Sequence, residues 1–103
     1  MNVAIDYDDT YTLDPMAWDS IIKLLENSGH KVFCVTKRYE HIADDIKEAL
    51  DIKIIFTPKG MSKMQATKLS GINIDVWIDD KPQSIIPYNY RPGSPINKGF
   101  ARW

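Results

Sequence analysis

Five aspartates stand in two short runs, Asp6-Tyr7-Asp8-Asp9-Thr10 and Asp79-Asp80, each directly after an apolar stretch, Val3-Ala4-Ile5 and Val76-Trp77-Ile78. Carboxylates that share one cleft repel one another and destabilise it unless a cation or a proton intervenes. A donor set of oxygens alone, without His or Cys, favours Mg²⁺ over zinc. Acids also cap helices and line solvated loops, and that plainer reading suits Asp9 or Asp14 taken alone. Two clusters at two strand ends favour the cation.

For the two runs to meet, the elements before them must be neighbours in one sheet. Residues 3–5 form a short apolar run that ends abruptly in acids, as a buried parallel strand does. Asp14-Pro15 reads as a helix cap followed by proline at the first helical position, with Trp18, Ile21, Ile22 and Leu25 at helical spacing and Gly29 as the stop. Residues 32–35 give a second strand, and about 40–50 a second helix with Ile42, Ile46, Ala49 and Leu50 on one face. Residues 52–56 give a third strand. Ser62 caps a third helix that ends near Gly71, with a thin apolar face of Met61, Met64 and Leu69. Residues 76–78 give a fourth strand, and 81–86 one helical turn or a short edge strand. Strands alternating with helices at this spacing predict a Rossmann-like, three-layer α/β/α domain with a mainly parallel sheet and right-handed crossovers. From about 87 to 103 Pro, Gly, Asn and aromatics follow without period, predicting an ordered arm packed by Tyr88, Tyr90, Phe100 and Trp103, with a frayed end as the alternative. Ligands bind outside the carboxyl ends of such strands, where both acid runs lie.

The chain has 103 residues, 44% hydrophobic and 26% charged, which suits one domain with a modest core and argues against disorder. A formal net charge of −1 offers no global attraction to nucleic acid or to an anionic membrane. Cys34, the single cysteine, lies in an apolar run and reads as a buried structural thiol; no internal disulfide and no cysteine-rich zinc site can form. His30 follows a helix stop and His41 starts a helix, too far apart for a zinc pair. No leader-like or membrane-length apolar segment is present in the sequence, which predicts a soluble, cytoplasmic protein.

Asp6-Tyr7-Asp8-Asp9-Thr10 resembles the Asp-x-Asp-x-Thr signature after the first strand of the haloacid-dehalogenase-like (HAD) superfamily of phosphohydrolases. Thr36, at the end of the second strand, is similar to its second motif, a Ser or Thr after an apolar strand. Lys63 best matches its third, a lone Lys, with Lys59 and Lys68 as competitors. Asp79-Asp80 matches its fourth, an acidic pair. The resemblance spans roughly residues 1–82, and the first and fourth motifs are its specific part. Only a few residues separate Thr10 from Asp14, and no insertion follows Thr36, so a capless member is implied.

The resemblance implies a Mg²⁺-dependent phosphatase in which Asp6 attacks phosphorus and Asp8 serves as acid and then base. Asp6, the Asp8 backbone carbonyl and Asp79 would hold the metal, with Asp80 binding it through water or orienting its neighbours. Thr36 would bond a phosphoryl oxygen, and Lys63 would offset charge on Asp6 and the phosphoryl group. Arg38 is placed to reach a substrate anion or to stay at the surface, and Thr10 to fix the loop after Asp6. The implied partner is a phosphorylated small molecule or nucleotide, without membrane or strong nucleic-acid signature, and a homo-oligomer or covering subunit stays open. A receiver domain is rejected because Phe56-Thr57 stands where an Asp is required. A metal-dependent nuclease and a non-catalytic binding module are the remaining alternatives.

Overall fold

Apolar residues on alternate sides of short strands fix the layers. The computed structural model describes residues 1–87, within which β1 (Asn2–Ile5), β2 (Lys31–Thr36), β3 (Lys53–Phe56) and β4 (Val76–Ile78) form one all-parallel sheet in the order β3-β2-β1-β4. Val3, Ile5, Val32 and Cys34 pack on one face with Ile22 of helix α1 (Pro15–Asn27) and Ile46 of α2 (Asp44–Ala49). Ala4, Phe33, Val35 and Ile55 pack on the other with Ala66 of α3 (Lys63–Leu69). This follows from the order of the strands. The chain steps outward from β1 to β2 to β3, then crosses back to place β4 on the far side of β1, and right-handed crossovers put a returning helix on the opposite face. The result is a small Rossmann-like α/β arrangement with helices on both faces.

Local chemistry sets the helix limits. Asp14 accepts from the Ala17 amide at 3.2 Å with Pro15 at the first turn, and Gly29, at φ +89°, closes the segment after α1. Ser62 and Gln65 form a reciprocal capping box at the start of α3. Its inward side carries Lys63, Met64, Ala66 and Thr67, while Leu69 is exposed, which explains the thin apolar period. Cys34 is fully buried, and burial pushes its thiol up to about 12.

The second helix departs from expectation. It is split into a 3-10 turn at Glu40–Ile42 and the short α2, with Ala43 between them. Arg38 Nη1 donates to the Ile42 carbonyl at 3.3 Å, the acceptor that the Ile46 amide would take in an unbroken helix, and Ile46 bonds to Ala43 O instead. Ile42 is consequently exposed, as is Ala49, and Ala43 joins the core. Pro82–Ser84 forms a single 3-10 turn. The aromatic arm expected after Pro87 lies outside the described residues. No described helix is long and apolar enough to cross a membrane.

The capping box connects stability to the position of Lys63, the first residue of α3. Ser62→Ala removes one reciprocal hydrogen bond and should lower stability by about 1 kcal/mol, read as an earlier midpoint in urea with an unchanged slope.

Candidate functional site

Parallel pairing brings the two acid runs together. Ile5 of β1 is in register with Ile78 of β4, so the residues that follow, Asp6 and Asp79, leave the sheet side by side. The Asp6 amide still bonds to Ile78 O at 2.9 Å, extending the ladder by one step. Beyond it the chain turns tightly. Tyr11 N bonds to Asp6 O at 3.2 Å and Thr12 N to Tyr7 O at 3.1 Å, with Asp9 held at φ 60°, a conformation Asp tolerates better than most residues. Buried Tyr7 stacks on Tyr11, whose hydroxyl donates to Asp19 of α1 at 2.7 Å. The loop is thereby clamped to the helix that follows it.

Lys63 enters from α3 and places its ammonium between the acids. Nζ lies 2.8 Å from Asp6 Oδ1 and 2.6 Å from Asp79 Oδ2, and the residue is only 3% exposed. Lys59 and Lys68 are both exposed. Removing one partner of a buried ion pair leaves the other charge unpaired, costing about 3–5 kcal/mol.

Thr10 stands between Asp6 and Asp80. Its hydroxyl accepts from the Asp80 amide at 3.2 Å and has both Asp6 Oδ2, at 3.4 Å, and Asp80 Oδ1, at 3.3 Å, within donating reach. One proton cannot serve both fully, so the two carboxylates remain under-supplied with donors. The Asp6 carboxyl is raised from 3.8 to about 6, chiefly by burial. Lys63 opposes the shift, while Asp80 and Asp79 reinforce it. Asp80 is held below the usual range, first through its hydrogen bond with Asp6.

Oxygens of Asp6, Asp79 and Asp80 lie within 4.8 Å of one another, a spacing that one cation can bridge. Three hard oxygen donors fit Mg²⁺ better than a soft metal. Asp79 is held in place by the Lys81 amide at 2.9 Å and by Ser84 Oγ at 3.4 Å. Ser84 and Lys81 line the cleft and were not foreseen; nothing in the sequence marks them beyond their closeness to Asp79.

Asp8 departs from this cluster. Its carboxylate borders the cleft but is taken by Arg38, with Nη2 on Oδ1 and Nε on Oδ2 at 3.3 Å. Arg38 also pairs with Asp45 of α2 and lies 5.6 Å from the centroid of the Tyr7 ring. These acids raise the guanidinium's proton affinity further, and Arg38 holds the Asp45 carboxyl below its ordinary range. Arg38 is therefore a brace between the loop after β1 and the start of α2 rather than a free anion receptor, and Asp45, its second anchor, was missed in the sequence.

Thr36 is buried at the end of β2, and its Oγ1 accepts from the Arg38 amide at 3.0 Å. With a lone pair so fixed, its proton has no acceptor among the described residues and can serve a ligand. Asp6, Asp8, Thr36, Arg38, Lys63, Asp79 and Asp80 all line one cavity of about 230 Å³, and Thr10 supports it from behind. No protein-family model, curated protein or solved structure matches this chain.

The raised Asp6 carboxyl has a definite sign. A folded-state value above the unfolded one gives stability that is present below about 4 and lost as pH rises through about 6. In chelator, Asp6→Asn should therefore gain melting temperature relative to wild type across that window, and Mg²⁺ should reduce the difference. Equal pH profiles for the two proteins would show that Asp6 is not strained. Lys63→Met should destabilise at neutral pH by about 3–5 kcal/mol, measured by urea unfolding.

Proposed function

We propose that this protein is a Mg²⁺-dependent phosphomonoesterase, a capless member of the haloacid-dehalogenase-like superfamily, that works through an aspartyl-phosphate on Asp6. The observation that carries the reading is the buried Lys63 ammonium shared by Asp6 and Asp79 at the strand-order reversal. A lysine fixed there by one nucleophile candidate and one metal-ligand candidate orients both and offers positive charge where a phosphoryl group would arrive. That all four motifs, in chain order, contribute residues to one cavity adds to it.

In the first step an Asp6 carboxylate oxygen attacks phosphorus, and the bond from phosphorus to the leaving oxygen breaks. That oxygen takes a proton from Asp8, so the alcohol departs neutral. In the second step water attacks the same phosphorus, Asp8 takes its proton, and the Asp6–phosphorus bond breaks to release inorganic phosphate. Asp8 must arrive protonated and exchange its pairing with Arg38 for the leaving oxygen. Arg38 then becomes available to a phosphoryl oxygen, beside the Thr36 hydroxyl. Asp6, Asp79 and Asp80, with the Asp8 carbonyl, would hold Mg²⁺, which when bound would supply charge neutralisation for a phosphoryl group.

An aryl phosphate should be hydrolysed with Mg²⁺ and not in chelator, and Asp6→Asn should reduce turnover by at least about 10³-fold. Lys63→Ala should lower turnover at saturating substrate by about 10²–10³-fold, as loss of a charge that stabilises the transition state does. Full activity of the Asp6 variant would sink the nucleophile assignment. Cleavage of single-stranded DNA or RNA without phosphomonoesterase activity would select a nuclease, and neither activity a binding module.

A further inference from the structure

A second cavity of about 250 Å³ shares Lys37 with the acidic cleft and is lined by Lys37, Gly60, Met61, Ser62, Gln83 and Ile86. The same three chain segments wall both spaces. Lys37 borders each, Ser62 immediately precedes Lys63, and Gln83 immediately precedes Ser84. A phosphate ester bound at Asp6 therefore has this chamber as its neighbouring volume. Together the two spaces fall within the few hundred Å³ usual for small-molecule sites.

Its chemistry contrasts with the cleft. Five acids line the cleft, Asp6, Asp8, Asp9, Asp79 and Asp80, whereas the chamber has none. Met61 and Ile86 supply apolar walls. Ser62 gives its amide and its hydroxyl oxygen to the helix cap with Gln65, which leaves only its hydroxyl proton. Lys37 and Gln83 make no hydrogen bond or ion pair to another described residue, which leaves an ammonium and a carboxamide for a ligand. A polyhydroxylated sugar would meet too few polar partners here, and an alkyl chain would waste both polar groups. A flat heterocycle suits the set: it has apolar faces of the kind Met61 and Ile86 can cover, and edge acceptors and donors of the kind Lys37 and Gln83 can bond.

We propose that this chamber binds the base of a nucleoside 5′-monophosphate, so that the reaction converts nucleotide and water into nucleoside and inorganic phosphate. The assignment rests on the phosphomonoesterase reading. Its test compares adenosine and uridine 5′-monophosphates with ribose 5-phosphate, which carries the same reacting bond and no base. With Mg²⁺, kcat/KM for the nucleotides should exceed that for ribose 5-phosphate by at least about tenfold. Met61→Ala and Gln83→Ala should each reduce that ratio several-fold. Because the ratio is taken on one preparation, a partly unfolded variant does not distort it. A ratio near one in wild type, with both esters hydrolysed, would overturn the chamber assignment and leave the phosphatase reading standing. So would a high ratio that neither substitution changes. Hydrolysis of none of these esters, nor of an aryl phosphate, would overturn both.

Discussion

A lysine ammonium with almost no solvent exposure is tolerable only where carboxylates receive it, and carboxylates this close together are tolerable only where a cation separates them. Lys63, Asp6 and Asp79 satisfy that double condition, and they come from α3, β1 and the end of β4. The triplet fixes how far α3 slides along the sheet, helped by the Met64 amide bonding to Ile85 O at 2.9 Å. It also leaves charge uncompensated. Asp6, Asp79 and Asp80, when ionised, outweigh one ammonium by two charges, the amount a single divalent ion carries. Burial is the main cause of the raised Asp6 carboxyl, and the neighbouring Asp80 and Asp79 add to it.

Arg38 organises the opposite wall. One guanidinium meets Asp8, Asp45 and the Ile42 carbonyl while lying near the Tyr7 ring. Planar, five-donor geometry lets arginine satisfy several acceptors at once, which lysine could not. The cost appears as the interrupted second helix, whose Ile42 carbonyl is diverted to the brace. Local helix order and the shape of the cleft are thus exchanged through a single side chain.

Legibility in the sequence followed the range of each interaction. Strands and caps depend on neighbours in the chain, and Val3-Ala4-Ile5, Asp14-Pro15 and Ser62 marked them correctly. The meeting of Asp6 with Asp79 was readable because alternating strands and helices restrict the topologies available. Three features were hidden. The break at Ala43 comes from Arg38, which helical periodicity does not register. The inward face of α3 looked weak because a lysine and a threonine occupy it. Ser84 reaches Asp79 through a 3-10 turn whose residues carry no periodic signal. Between Lys59, Lys63 and Lys68 spacing alone could not decide, whereas burial separates them.

The strand order has a bearing on how the protein acquires its site. β1, β2 and β3 can pair as each is synthesised, because only a short helical connection intervenes each time. β4 must instead return to β1 across most of the described chain, and long loops close slowly. Until it does, β1 presents an open edge with Asp6 at its end, and neither Asp79 nor Asp80 is beside it. Mutual repulsion among the acids is therefore postponed to the last docking event, when Lys63 arrives from the crossover just before β4. A nascent chain that stops short of β4 would carry most of the core and Lys63, but neither Asp79 nor Asp80.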